Sequence, residues 1–299
     1  MDIYEAIALL KSIVTSIGMK VNEEKYADGQ DLIFLGVFLT TVAYGGNECA
    51  AGITEARREH VANRCYAMEH WKGSIRIRDL MAFGGLLVFC SQVIFGSKLY
   101  LRSIYALTGS RSMHEWTSLS KTFRQDCAWW RTMVQQSGLC GTVMTRFPLS
   151  PYFISWDAST SWGIGAFFQG KREFFSIPWK EVLANGGQLG PQMNTPSWHI
   201  NYMELYAAYR AIRRWGQYMR GCTVPVYTDS SSVHAWLTHL TGPALAIPLL
   251  KSIHLLLIKY DIRLESHLIA SKINAMADAL SRGDMLAFYS ALKQFDENM

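Results

Sequence analysis

Past Pro148-Leu149-Ser150-Pro151 the chain changes texture in a way that leaves few folds open. Strand-like runs at 152–158, 163–168 and 173–177 come first, rich in aromatic and apolar residues and bounded by turn formers. A loop rich in Gly, Pro and Asn (185–196) precedes a helix over about 202–219 and a strand at 223–228. A short helix (231–240), a longer one (245–260), a strand (262–268) and a closing helix from Asn274 complete the order. Three strands, helix, strand, helices, strand, helix predicts an α/β fold, a mixed sheet with flanking helices. There is no internal repeat or low-complexity tract.

The upstream half reads differently. Ile7, Leu10, Ile13, Val14 and Ile17 predict a helix over 5–19, and Asn22–Gln30 is turn-rich. Residues 32–39 read as one strand. From about Thr54 to Gly138 the pattern is helical, broken at glycines 73, 84, 85, 96 and 109. The most membrane-like stretch, Met81–Gly96, falls short of the ~20 residues a spanning helix needs and contains Ser91 and Gln92, which predicts a core helix. A chain of 299 residues that is 49% hydrophobic and 18% charged can bury real cores, which excludes wholesale disorder.

Charge divides the chain again. Residues 1–55 hold three basic and eight acidic side chains, residues 56–150 thirteen and five, and residues 151–299 thirteen and eleven. The net charge of +5 therefore belongs to the middle third. Its basic residues recur along apparent helices: Arg57, Arg58, Arg64, Lys72, Arg76 and Arg78, then Lys98, Arg102, Arg111, Lys121, Arg124 and Arg131. Such a surface either tracks a phosphate backbone or is a solvated helix face. Six cysteines without CxxC pairs or Cys/His clusters read as reduced thiols. Acids at Asp2 and Glu5 stand where a signal peptide needs base, so the expected setting is intracellular, cytoplasm or nucleus.

Four acids occupy chemically suggestive places in the last segment. Asp157 ends the first strand, Glu204 opens the long helix, Asp229 ends the fourth strand, and Asp278 lies in the first turns of the last helix. Ala208, Ile212, Trp215 and Met219 continue the face of Glu204 at helical spacing, so that carboxylate is costly unless paired or metal-bound. Strand-end acids in such sheets point to the edge where ligands bind. Clustered carboxylates suit hard cations, Mg²⁺ or Mn²⁺, and two such ions about 4 Å apart serve phosphodiester hydrolysis. Singly, each acid has a plainer reading. Asp157 could begin a turn, Asp229 could cap a helix, Asp278 could suit a helix N-terminus, and Glu204 could be exposed.

Taken together, Asp157-Ala158-Ser159-Thr160-Ser161-Trp162-Gly163-Ile164-Gly165-Ala166 resembles the opening hairpin of retroelement RNase H domains. Trp179, Met203-Glu204-Leu205, Tyr227-Thr228-Asp229 and Ala277-Asp278-Ala279-Leu280-Ser281-Arg282 continue the match, the last being similar to the closing motif of DIRS-like and related retrotransposons. The resemblance implies an RNase H-like fold whose carboxylates Asp157, Glu204, Asp229 and Asp278 bind two Mg²⁺ or Mn²⁺ ions. It implies cleavage of the RNA strand of an RNA–DNA hybrid. It also implies a role in turnover for His267. The chain reads His267-Leu268-Ile269-Ala270 where the family has His-x-Pro-Gly, the interval to Asp278 is one residue longer, and Ser230 stands where Asn is common.

The first half resembles the segment upstream of RNase H in the same polyproteins. Ile17-Gly18-Met19-Lys20-Val21-Asn22, Lys25 and Ile33-Phe34-Leu35-Gly36-Val37 look like the end of a reverse transcriptase palm. The helices ending in Asp126-Cys127-Ala128-Trp129-Trp130 look like thumb and connection. The organisation this implies is a partial palm (1–55), a basic thumb/connection-like region (56–150) and an RNase H-like domain (151–299). No Asp-Asp dipeptide occurs, and Tyr26-Ala27-Asp28-Gly29 lies on the wrong side of the Gly-Met-Lys-Val-Asn segment. No DNA synthesis is therefore expected from this polypeptide alone. The expected partners are an RNA–DNA hybrid and the missing polymerase portion, with no membrane. Trp162, Trp179 and Trp198 could stack on sugars or bases or pack in the core. The alternative function is a catalytically inactive, co-opted nucleic-acid-binding protein.

Overall fold

The structure is a computed structural model and describes residues 3–20, 29–41, 49–136, 140–143, 147–184 and 199–297. The turn-rich segment with Tyr26-Ala27-Asp28, the loop at 185–196 and Trp198 lie outside the described residues.

In the upstream half, helix α1 (Ile3–Ser16) precedes strands β1 (Asp31–Phe34), β2 (Val37–Thr40) and β3 (Ala50–Ile53). The single strand expected over 32–39 is in fact a hairpin. Leu35 and Gly36 both take positive φ (49° and 79°), the pattern of a type I′ turn that reverses the chain in two residues. An unbroken apolar run concealed that turn, because Leu rarely supplies the first left-handed position. Helix α2 (Glu55–Glu69), strand β4 (Ser74–Arg76), helices α3 (Ile77–Cys90) and α4 (Arg102–Thr108), strand β5 (Trp116–Ser118) and helix α5 (Lys121–Gln135) follow.

Gly73, Gly96 and Gly109 interrupt this region with positive φ, as expected. Gly84 and Gly85 do not: they lie inside α3, where Gly84 admits the Ile104 side chain at close range. Strand β6 (Gly141–Val143) closes the sheet β1-β2-β3-β6. The Met81–Gly96 stretch contributes Phe83, Leu87 and Cys90 to the core. Among the described residues no helix is long and apolar enough to cross a membrane.

The second half holds β7 (Ile154–Ala158), β8 (Gly163–Phe168), β9 (Glu173–Pro178), α6 (Trp179–Ala184), α7 (Ile200–Trp215), β10 (Thr223–Thr228), α8 (Ser231–His239), α9 (Ile247–Tyr260), β11 (Arg263–Leu268), α10 (Ala275–Ser281) and α11 (Met285–Glu297). The strands run in the order β11-β10-β7-β8-β9. β7 pairs parallel with β10 and β10 with β11, whereas β8 is antiparallel to both of its neighbours. This is the expected α/β arrangement, a five-stranded mixed sheet with flanking helices, preceded by a mostly helical region.

Alternation on the strands assigns the two faces. Ile164, Ala166 and Phe168 of β8 join the large core with Leu205, Ala208 and Ile212 of α7, while Phe167 meets Leu280 and Phe288 beneath α10 and α11. The closing helix expected from Asn274 is two helices, because Gly283 turns the chain with φ 71°. Before β7, Pro148–Ser150 keeps to the sheet edge. Thr223 donates its N–H to the Pro148 carbonyl (2.9 Å) and Ser150 donates to the Thr223 carbonyl (2.8 Å).

Candidate metal centre

Each of the acids Asp157, Glu204 and Asp229 is delivered by a different element. Asp157 stands near the end of β7, paired across the antiparallel ladder with Gly165. Turn formation at this corner falls to Ser159, whose Oγ accepts from the Ser161 N–H. Glu204 lies on the second turn of α7, a helix that buries Leu205, Ala207, Ala208 and Ala211 and so brings its backbone close to the sheet. Asp229 directly follows β10, and the capping role beside it falls to Ser230, whose Oγ accepts from the Val233 N–H. The turn, cap and exposed-acid readings of these three residues are thereby set aside.

Their carboxylates converge. Asp157, Glu204 and Asp229 each offer an oxygen within 4.8 Å of the others, with Asp157 and Glu204 buried and Asp229 partly exposed. Burial pushes the Glu204 carboxyl up to about 10, with further lift from the negative charge of Asp157. Burial likewise raises Asp157, against hydrogen bonds from Ser281 and Glu204 that favour its charged form. Without a cation, burial and the neighbouring acid charges therefore both favour the neutral form of Glu204.

The Glu204 Oε2 atom is buried and has no hydrogen-bond partner. An orphaned carboxylate oxygen beside two more acids is an unfinished arrangement, and a hard divalent cation finishes it. The donor set is all oxygen, so these residues fit Mg²⁺ or Mn²⁺.

The other two candidates lie outside that group of three, although the charge of Asp278 still helps to raise Asp157. Asp278 turns to Arg282, whose Nε and Nη2 lie 2.9 and 2.8 Å from its Oδ1. His267 lies on β11, its ring stacked on Tyr227 at 5.3 Å and 3.7 Å from a Glu265 oxygen. Two residues that composition and spacing did not single out do touch the acids. Asn274 Nδ2 lies 3.4 Å from Asp229 Oδ1, and Ser281 Oγ meets Asp157 Oδ2. Their signal in the sequence is slight: two small polar residues seven apart, flanking Asp278 on an otherwise apolar helix.

The tryptophans and the basic middle segment are engaged internally. Trp162 packs over Gly283 so closely that a Cβ there would come within 2.4 Å of its ring. Trp179 Nε1 donates to the Ser159 carbonyl at 2.8 Å. Arg124 bridges the Glu69 and Trp71 carbonyls (2.6 and 2.7 Å), Arg131 pairs with Glu69, and Arg57 lies 4.2 Å over Phe89. Much of the positive charge thus caps helix ends and covers rings, and it bears on a phosphate backbone only through what these contacts leave exposed.

No family model and no curated protein matches the chain. Among solved structures, 90% of the chain aligns with 44% of the foamy viral protease-reverse transcriptase dRH in complex with double-stranded DNA, at 12% identity and a TM-score of 0.37. The foamy viral protease-reverse transcriptase in complex with an RNA/DNA hybrid aligns over 95% of the chain and 57% of its own, at 13% identity and a TM-score of 0.33. The chain spans about half the length of these proteins.

Proposed function

We propose that this chain is a metal-dependent nuclease of the RNase H type that hydrolyses the RNA strand of an RNA–DNA hybrid. The observation that carries the reading is the convergence of Asp157, Glu204 and Asp229, one carboxylate oxygen of each within 4.8 Å of the others, with Glu204 Oε2 buried and unpartnered. Asp157, Glu204 and Asp229 would hold two Mg²⁺ or Mn²⁺ ions, with Asp278 as the fourth acid and His267 assisting turnover. Bound there, divalent cations supply activation of water and neutralisation of charge at the scissile phosphate.

The chain's own residues do the rest. Ser281 and the backbone of β7 fix Asp157, and burial between α7 and the sheet keeps Glu204 away from bulk water. The partly exposed Asp229 leaves the group open on one side, where a strand of nucleic acid can approach. Residues 151–299 are the nuclease domain in this reading, 56–150 a thumb/connection-like support for the hybrid and 1–55 part of a palm. DNA synthesis is not expected from this chain alone, and a polymerase portion is its natural partner.

A second reading, a nucleic-acid-binding module without catalysis, is favoured by the Asp278–Arg282 pair, which draws the fourth acid towards a cation of the protein itself. Cleavage of an end-labelled hybrid in Mg²⁺ separates the two. Activity abolished by Asp157→Asn and by Asp229→Asn supports the nuclease. Activity that survives both changes refutes the site, and salt-sensitive hybrid binding without cleavage selects the module.

A further inference from the structure

The short helix α10 places two buried polar side chains on the acids of the site. Asn274, at its N-cap and 2% exposed, donates from Nδ2 to the Trp156 carbonyl at 3.1 Å and lies 3.4 Å from Asp229 Oδ1. Ser281, in its last turn and fully buried, sets Oγ against Asp157 Oδ2 and 2.8 Å from the Asp278 carbonyl. Seven residues are about two turns of 3.6, so both side chains leave the helix on one face. Gly165 makes the approach possible: a Cβ there would come within 2.4 Å of the Ser281 amide nitrogen.

Asn274 also buries its Oδ1 without a partner, which costs stability. The contacts its side chain makes in return are to Asp229 and to the strand that carries Asp157.

We infer that α10 is a positioning clamp, in which Asn274 fixes Asp229 and Ser281 fixes Asp157, so that one helix sets the spacing of acids carried by two strands. The inference rests on the metal-dependent reading above and adds to it residues that act through the ligands. Partners of this kind orient a carboxylate and raise its affinity for a cation, and their loss commonly weakens metal binding by ~10–100-fold.

Mn²⁺ binding to the metal-free full chain, followed by electron paramagnetic resonance, tests the clamp directly. Asn274→Ala and Ser281→Ala are compared with Ser176→Ala, each shown folded by near-ultraviolet circular dichroism. Ser176 Oγ donates to the Leu280 carbonyl at 2.6 Å, so it docks the same helix without touching an acid. The clamp requires Mn²⁺ affinity to fall about tenfold or more in each of the first two variants, with Ser176→Ala losing thermal stability but not affinity. Undiminished affinity in folded Asn274→Ala and Ser281→Ala overturns the clamp and leaves the metal centre standing. No saturable Mn²⁺ binding by the unmodified chain overturns both.

Discussion

At position 204 a carboxyl group that would ordinarily titrate at 4.5 does so at about 10, because folding removes it from water and sets it beside other acids. The folded chain then binds a proton that the unfolded chain releases, so the stabilisation is complete below pH 4.5 and is lost as pH rises towards 10. Metal-free protein in chelator should therefore melt at progressively lower temperature between pH 7 and pH 9.5. Glu204→Gln should flatten that slope, and added Mg²⁺ should raise the melting temperature most at the alkaline end, where the acids are charged. Scanning calorimetry across the pH series reads all three effects.

His254 behaves in the opposite sense. It is fully buried, donates from Nε2 to the Phe95 carbonyl (3.0 Å), and burial lowers it from 6.5 to about 4. Its stabilisation is present above pH 6.5 and is lost as pH falls through 4, by about 3 kcal/mol in all. Urea titrations should show an acid loss of that order in the native chain that His254→Gln lacks.

Among the elements, α10 and the hairpin β1–β2 show what each local sequence commits to. Gly165→Ala places a methyl against the backbone of α10, and the helix must shift. A cost of about 1–3 kcal/mol in urea unfolding is expected, accompanied by weaker Mn²⁺ binding because Ser281 moves with the helix. At the hairpin, Leu35 is 79% exposed and held at φ 49°. Leu35→Asn creates the Asn-Gly pair that suits a type I′ turn and should gain about 1 kcal/mol, read as a rise in urea midpoint.

These two places also mark the limit of what the sequence discloses. Strands β7 to β11 and helices α7 to α9 were legible because period and composition agree there, and Glu204 was legible because an acid interrupts an apolar face. The hairpin, the β4–β5 pair and the division between α10 and α11 were not. Their turns depend on backbone angles at Leu35 and on single glycines that the surrounding structure selects. Asn274 and Ser281 were invisible for a related reason: small polar residues reveal a task only when folding shows what they touch.

For the molecule as a whole, the upstream helices and the second half share polar contacts as well as apolar ones. Lys251 of α9 pairs with Asp126 of α5, which also accepts from Ser103 at 2.7 Å, and Tyr100 lies 3.4 Å from His254. Asp126 is 4% exposed, so Lys251→Met leaves a buried acid without its cation. A loss of about 3 kcal/mol is expected, and Asp126→Asn added to it should recover part of that loss in a double-mutant cycle.

The backbone at Pro148–Ser150 carries one consequence further. Because it is hydrogen-bonded along Thr223, this stretch is a rib of the sheet rather than a tether. A rib transmits torque. Any rotation of the basic helices against the acidic cluster would first have to unzip those bonds and the Lys251–Asp126 pair. A calorimetric scan of the intact chain should accordingly give one cooperative transition rather than two.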